Sequence, residues 1–246
     1  MSKNQIYINS TASSSFRDVA DQDYIAARAC YKNGLTLQFL WMAHQAIEKY
    51  LKAILLYNKR SSKDLGHDLN ASLKRILDIE GLILDLTDDV LEFIDYLNLQ
   101  GPNRYLEKAH FTQGFEILKL DRSVWQIRRY CKVINYETQL SNGENVNLME
   151  AELSAIHSWL NSKERHKFKL IGGHLEKVIK NKRHPQRKML VWSNFFYGQR
   201  RKGTIVIPEN MTFINPTQVL HPEKFNQLQE VIQFPKEVRQ AFANRS

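Results

Sequence analysis

Apolar residues in the first 140 positions recur every three or four residues, and short turn-forming stretches interrupt them. That spacing puts them on one face of successive α-helices, so the first half reads as helical throughout. The clearest case runs from about Thr36 to Asn58. Here Leu37, Leu40, Trp41, Ile47, Leu51, Ile54 and Leu55 form a stripe, while Gln45, Lys49, Lys52 and Lys59 lie opposite. Upstream, Phe16, Val19, Ala20, Ala27 and Cys30 predict another helix, with Ser13 to Ser15 available as N-caps. Leu69, Leu73, Ile76 and Leu77 follow Gly66-His67. Val90, Phe93, Ile94 and Leu97 follow Thr87 and stop at Gly101-Pro102. A fifth helix, presenting Val124, Ile127, Cys131 and Ile134, is expected behind an Asp121 cap. Five amphipathic helices joined mostly by short loops predict an antiparallel bundle. Asn103 to Leu120 lacks a clean period and is expected to be loop or a short helix.

The polar, turn-forming Ser141-Asn142-Gly143-Glu144-Asn145 is the best linker candidate. It divides the chain into a helical bundle over 1–140 and a basic α+β extension over 141–246. The expected fold class is therefore mainly α, an antiparallel bundle with a small α+β C-terminal region. Within that region Leu148 to Leu160 has helical spacing. A helix near Phe168 to Ile179 is weakened by Gly172-Gly173. Leu190-Val191-Trp192 and Phe195-Phe196-Tyr197 read as strand. Thr204 to Ile207 and Met211 to Ile214, flanking Pro208-Glu209-Asn210, read as a hairpin. Two short helices open at Pro222 and Pro235.

Charge separates the two halves more sharply than hydropathy does. Of the net +9, residues 1–140 carry +1 and residues 141–246 carry +8. Between 163 and 202, 13 basic residues face only Glu164 and Glu176. Such a field attracts polyanions. Lys180, Lys182, Arg183, Arg187, Lys188, Arg200, Arg201 and Lys202 are the candidate contacts, with Trp192, Phe195, Phe196 and Tyr197 among them. Cations that pair phosphates, together with rings that stack bases, are the ingredients of single-strand binding. The alternative is that the rings form a small core and the charges solvate it. Nucleic acid is preferred to membrane because no basic amphipathic helix with a broad apolar face stands out.

The same reading excludes several classes. With 43% hydrophobic and 25% charged residues the chain is an ordinary globular one. Its two cysteines, Cys30 and Cys131, fall at apolar helical phases and read as buried thiols. No apolar run approaches the ~18 residues of a membrane span and the first residues are polar, so a cytoplasmic protein is expected. Gly-rich phosphate loops are absent, the cysteines are too far apart for a zinc pair, and the eight histidines are scattered. Neither cofactor nor metal is expected.

The most specific signal is Ala43-His44-Gln45-Ala46-Ile47-Glu48-Lys49-Tyr50-Leu51-Lys52-Ala53, followed by Gly66-His67-Asp68-Leu69 and then Asn103-Arg104-Tyr105. This combination resembles the HEPN family, whose name refers to nucleotide binding in higher eukaryotes and prokaryotes. The resemblance covers roughly Phe16 to Tyr136. It implies an α-helical bundle that usually dimerises. Some relatives are metal-independent ribonucleases or toxins, and others pair with a separately encoded minimal nucleotidyltransferase, whose own signature is missing from this chain.

The ribonuclease members use an arginine and a histidine four to six residues apart, and Arg104 and His110 meet that spacing. An imidazole moves protons near neutral pH, and a guanidinium holds phosphate and its developing charge. Attack by the neighbouring 2′-hydroxyl would then confine cleavage to RNA. The alternative is a structural or ligand-holding role, because Arg104-Tyr105 also resembles the Arg-Tyr-Pro of non-nuclease members. Gln45, Glu48, Lys49 and Lys52 share one helix face. They read either as a solvated face with a Glu48–Lys52 ion pair or as a seam lining a dimer cleft or nucleotide site. His67, just before an Asp68 N-cap, reads as a helix-start residue or a member of that cleft. The expected function is RNA-directed, with metal-independent cleavage at Arg104 and His110. The alternative is a non-catalytic dimerisation or nucleotide-binding module serving a nucleotidyltransferase or another protein.

Overall fold

The computed structural model describes residues 3–101, 108–160, 171–197 and 212–243. They are mainly helical, as the spacing predicts. Helix α1 (Lys3–Thr11) runs through a π-helical stretch (Ala12–Arg17) into α2 (Asp18–Lys32). Ser13 to Ser15 therefore cap nothing. Their place is mid-helix, where the Ser13 and Ser14 hydroxyls donate back to the carbonyls of Asn9 and Ser10, each at 2.9 Å.

After a tight turn at Gly34 (φ +70°), α3 (Thr36–Tyr57) packs along α2. It also touches α4 (Leu69–Leu77), α5 (Asp88–Gln100) and α6 (Glu116–Arg128). Being surrounded, α3 buries Leu40, Ala43, Ile47, Tyr50, Leu51 and Ile54 completely or almost so. It is the central strut of the bundle. Asp68 caps α4 by accepting from the Ala71 amide at 3.0 Å.

Asp121 was expected to open the fifth helix. Instead α6 starts at Glu116 and Asp121 lies in its middle, fully buried against Arg28 of α2. The segment before α6 holds a strand, β1 (His110–Thr112). Ser141 to Asn145 is turn-forming, as expected. It turns a small hairpin between β2 (Glu137–Gln139) and β3 (Asn145–Asn147), with Gly143 at φ +88°.

Beyond the hairpin come α7 (Met149–Leu160), α8 (His174–Lys180) and α9 (Arg187–Val191). Gly173 stands at the start of α8 as its N-cap. Leu190-Val191 ends a helix and Phe195-Phe196-Tyr197 follows as bends, so the expected strands there are absent. β4 (Thr212–Ile214) pairs antiparallel with β1, matching His110 to Ile214, Phe111 to Phe213 and Thr112 to Thr212. The other arm of the expected hairpin, Thr204 to Ile207, lies outside the described residues. Short helices α10 (Thr217–Leu220), α11 (Phe225–Gln229) and α12 (Lys236–Ala243) follow. Phe225, Phe234 and Val238 form a small separate cluster among these C-terminal residues.

Side chains from both sides of residue 141 share one core. Met149, Leu153, Ile156, Leu175, Val178, Leu190 and Tyr197 belong to the same cluster as the α3 stripe. Two buried polar networks tie the later residues to the bundle. Arg128 donates to Asp21 through Nε (2.6 Å) and to Glu176 through a terminal nitrogen (2.8 Å). The Leu175 amide and the Tyr50 hydroxyl also donate to Asp21. In the second network Arg28 reaches Asp121 and the carbonyls of Met189 and Trp192. Asn194 Nδ2 donates to the Tyr24 hydroxyl at 2.8 Å, and Tyr24 donates to Asp121 at 2.6 Å.

Candidate functional site

Helix α5 builds the first part of the site with two side chains four residues apart, and so on one face. The Tyr96 hydroxyl donates to the Phe111 carbonyl at 2.9 Å, and Gln100 Oε1 lies 2.9 Å from His110 Nδ1. Strand β1 is thus gripped at consecutive residues by α5, while β4 pairs with it. An amide oxygen only accepts, so the Gln100 contact puts the His110 proton on Nδ1 and leaves the lone pair on Nε2. That Nε2 is buried and has no hydrogen-bond partner. Burial pushes the His110 imidazole below its usual range, against an opposing pull from Glu116. Glu116 is itself fixed, accepting from the amides of Gln113 and Gly114 at 2.5 and 2.9 Å. The result is a neutral imidazole with one fixed tautomer and one open acceptor, the state a general base needs.

Arg104, the expected partner of His110, lies outside the described residues. Gly101, just before that segment, rests on the next part of the site. A Cβ at Gly101 would come within 2.4 Å of His44 Cβ and 2.7 Å of its Cγ. Consecutive residues at the end of α5 therefore touch two different histidines, Gln100 reaching His110 and Gly101 reaching His44.

His44 leads into the seam on α3. The five residues expected there are brought together, mostly around Glu48. Lys52 Nζ donates to Glu48 Oε1 (2.6 Å) and to the Gly66 carbonyl (2.7 Å), and His67 Nδ1 is 2.9 Å from Glu48 Oε2. Gln45 Nε2 reaches Glu48 at 3.4 Å. Lys49 donates to Gln45 and, at 2.5 Å, to Asp23 on α2. Burial pushes the Glu48 carboxyl up, but hydrogen bonds from Lys52 and His67 outweigh it and hold the group below its ordinary value. These side chains satisfy one another, and they brace α2, α3 and the loop before α4. His44, fully buried beside them, has no hydrogen-bond partner on either ring nitrogen, and Glu48 Oε2 stands 3.8 Å from Nδ1. Burial is the main reason its imidazole falls to about 4.

The basic residues divide. Lys180, Lys182, Arg183 and Lys188 are exposed along α8, α9 and the turn between them. Arg187 is half-buried and donates to the Ile179 carbonyl at 3.2 Å. Arg200, Arg201 and Lys202 lie outside the described residues. The nearby aromatics divide as well. Phe196 stacks on Trp125 and Tyr197 sets its edge against Trp125 and Tyr24, so both pack into the core region. Phe195 is exposed, and Trp192 carries Lys32 Nζ 5.3 Å from its ring.

No group of three or more His, Cys, Asp and Glu among the described residues has metal-holding geometry. None of the helices described is long and apolar enough to cross a membrane. Sequence reasoning missed Gln100, Gly101 and the β4 pairing. For Gln100 one signal was available, its spacing of four from Tyr96 at the end of a helix.

A helical bundle with α3 as its strut, closed by a histidine-bearing segment after α5, defines an all-α domain with a polar seam. Residues 14–114 match the family model of the HEPN domain. The match takes in both Arg104 and His110. It ends before α6, earlier than the resemblance extending to Tyr136 suggests. No curated protein and no solved structure matches the chain.

Proposed function

We propose that this is an RNA-directed HEPN protein that cleaves RNA without a metal, through His110 and Arg104. The observation that carries the reading is the His110 ring: proton fixed on Nδ1 by Gln100, Nε2 buried and unpartnered. In the reaction Nε2 takes the proton of an RNA 2′-hydroxyl, and the freed 2′-oxygen attacks the adjacent phosphorus. The bond to the 5′-oxygen breaks, and that oxygen takes up a proton from solvent, leaving a 2′,3′-cyclic phosphate and a 5′-hydroxyl. The Arg104 guanidinium offsets the charge that builds on the phosphate oxygens. Because Nε2 is covered in the isolated chain, engagement of RNA entails opening of that cover. The exposed lysines and Arg183 on α8 and α9 would hold flanking phosphates, and a homodimer would bring two such sites together.

Cleavage of mixed RNA in EDTA, compared between the parent chain, Arg104→Ala and His110→Ala, tests this. Loss of roughly 10²–10⁴ in rate in both folded variants is expected. No cleavage by the parent, or equal cleavage by all three, overturns it.

The seam supports a second reading, a nucleotide-binding or dimerisation module paired with a separately encoded nucleotidyltransferase. Its polar residues converge on a single buried carboxylate, and His67 is largely exposed at its edge. That reading expects indifference to His110→Ala and loss of nucleotide or partner binding in Glu48→Gln.

A further inference from the structure

The β1–β4 ribbon has two unlike faces. His110 and Thr112 point inward and are buried. On the other face Phe111 and Phe213 stand directly across the two strands from one another, 39% and 66% exposed. Directly opposed side chains on an antiparallel pair have Cβ atoms about 4.5–5.5 Å apart, so the two rings are neighbours. Phenylalanine has no polar atom to justify such exposure, and burying the pair would be favourable. Neither ring is needed to complete the core cluster.

We propose that Phe111 and Phe213 form a stacking platform for the bases of single-stranded RNA, flanking the bond presented to His110. The proposal rests on the RNA-directed reading given above. Several observations favour RNA over a protein partner. The opposed rings are two side chains, and Gln113 and Asn215, the residues just past each strand with the same pleat parity, are polar. A stable protein interface covers about 800 Å² per partner, far more than two side chains supply. The chain is also strongly basic, and Arg200-Arg201-Lys202 precede β4 in sequence. Bases stack on aromatic rings with little regard to sequence, and cations alongside hold the phosphates. The strand pleat sends Phe111 and His110 to opposite faces. A stacked base therefore belongs to a nucleotide beside the scissile one and helps choose where the chain is cut.

The test separates stacking from catalysis. Binding of the full chain to a labelled 2′-O-methyl RNA oligomer, which cannot undergo 2′-hydroxyl attack, is compared with binding to an abasic ribose-phosphate oligomer of equal length. Phe213→Ala and Phe111→Ala should each weaken binding to the base-bearing oligomer by roughly five- to a hundred-fold, with the abasic oligomer unaffected. Phe213→Trp should restore binding, and its added indole emission should be quenched by the base-bearing oligomer. Equal binding by parent and both alanine variants, or an unmoved indole emission, overturns the platform. So does a fall in sedimentation coefficient in the alanine variants with RNA affinity unchanged, which would make the face an interface between copies. If the rings govern binding while ordinary RNA is not cut, the platform stands and the nuclease reading fails. If RNA is cut while the rings are inert, the reverse holds.

Discussion

Arg128 holds Asp21 through two side-by-side hydrogen bonds, Nε to Oδ1 at 2.6 Å and a terminal nitrogen to Oδ2 at 2.7 Å, with both side chains closed to solvent. Burial opposes a charge on Arg128, but Asp21 and Glu176 more than offset it and raise the guanidinium well above its usual range. Removing one partner of such a pair leaves a buried charge unmatched. Asp21→Ala should therefore cost about 3–5 kcal/mol in urea unfolding. A loss below about 1 kcal/mol would mean that water or a neighbour replaces the carboxylate.

The same network argues that the bundle is incomplete without its later residues. A chain ending at residue 140 loses Glu176 and the Leu175 amide from Asp21 and Arg128, and it uncovers the core face filled by Val178, Leu190 and Tyr197. It should unfold at lower urea than the full chain and bind a hydrophobic dye. An unchanged midpoint would establish 1–140 as a self-sufficient domain.

Gln100→Glu changes the group facing His110 Nδ1 from a neutral acceptor to an anion. A carboxylate stabilises the imidazolium, so the His110 pKa should rise. With His110 as general base, the acid limb of the RNA-cleavage profile should move to higher pH. Gln100→Leu should lower the rate without that displacement. NMR of the ring nitrogens reads the tautomer independently of cleavage, and a proton found on Nε2 in the parent chain would sink the argument.

Gly101 is required for space, not for conformation, since its φ of −61° suits any residue. Gly101→Ala would drive a methyl group into the Cβ and Cγ of His44, atoms that cannot swing aside. Destabilisation by about 1–3 kcal/mol is expected. Pairing it with His44→Gly, which removes both atoms, should recover part of that loss, and strictly additive effects would contradict the contact.

Acid should weaken the fold through His44. Its imidazole titrates at about 4 in the folded chain, below the ordinary 6.5. The unfolded chain therefore binds the proton first as pH falls. The His44 contribution should be level above 6.5 and should decline toward 4, by at most about 1.4 kcal/mol per pH unit, and buried His110 adds a loss of the same sign. Glu48 acts in a lower window. Its depressed carboxyl contributes above its ordinary value of 4.5, a contribution lost as pH falls further. His44→Leu should flatten the pH dependence of the urea midpoint between 7 and 5, and an unaltered slope would exclude His44 as its source.

What the sequence disclosed is what neighbours in sequence decide. The stripe of α3, the Asp68 cap and the stop after Gln100 follow from spacing and local hydrogen bonding, and all three are found. Ser13 and Asp121 carry the side chains of helix caps, yet their roles are set from elsewhere. Ser13 sits within a helix that begins ten residues earlier, and Asp121 answers an arginine on α2. Trp192 and Phe195 to Tyr197 are strand-forming residues held in a turn and in bends, where Arg28 takes the Trp192 carbonyl and Asn194 accepts from the Phe196 and Tyr197 amides. The seam was legible because the i, i+3 and i+4 offsets place its α3 members on one face. The pairing of β1 with β4 was not, since three-residue strands carry almost no periodic signal.

That pairing also fixes an order of events. On the ribosome the chain emerges from its N-terminus, and the helices of the bundle can form before the later segments exist. Strand β1, with His110 on it, stays half-built until Thr212 to Ile214 have been translated and have threaded back to it. The histidine strand is thus finished only after about a hundred further residues have been made, well after the helices of the bundle have left the ribosome.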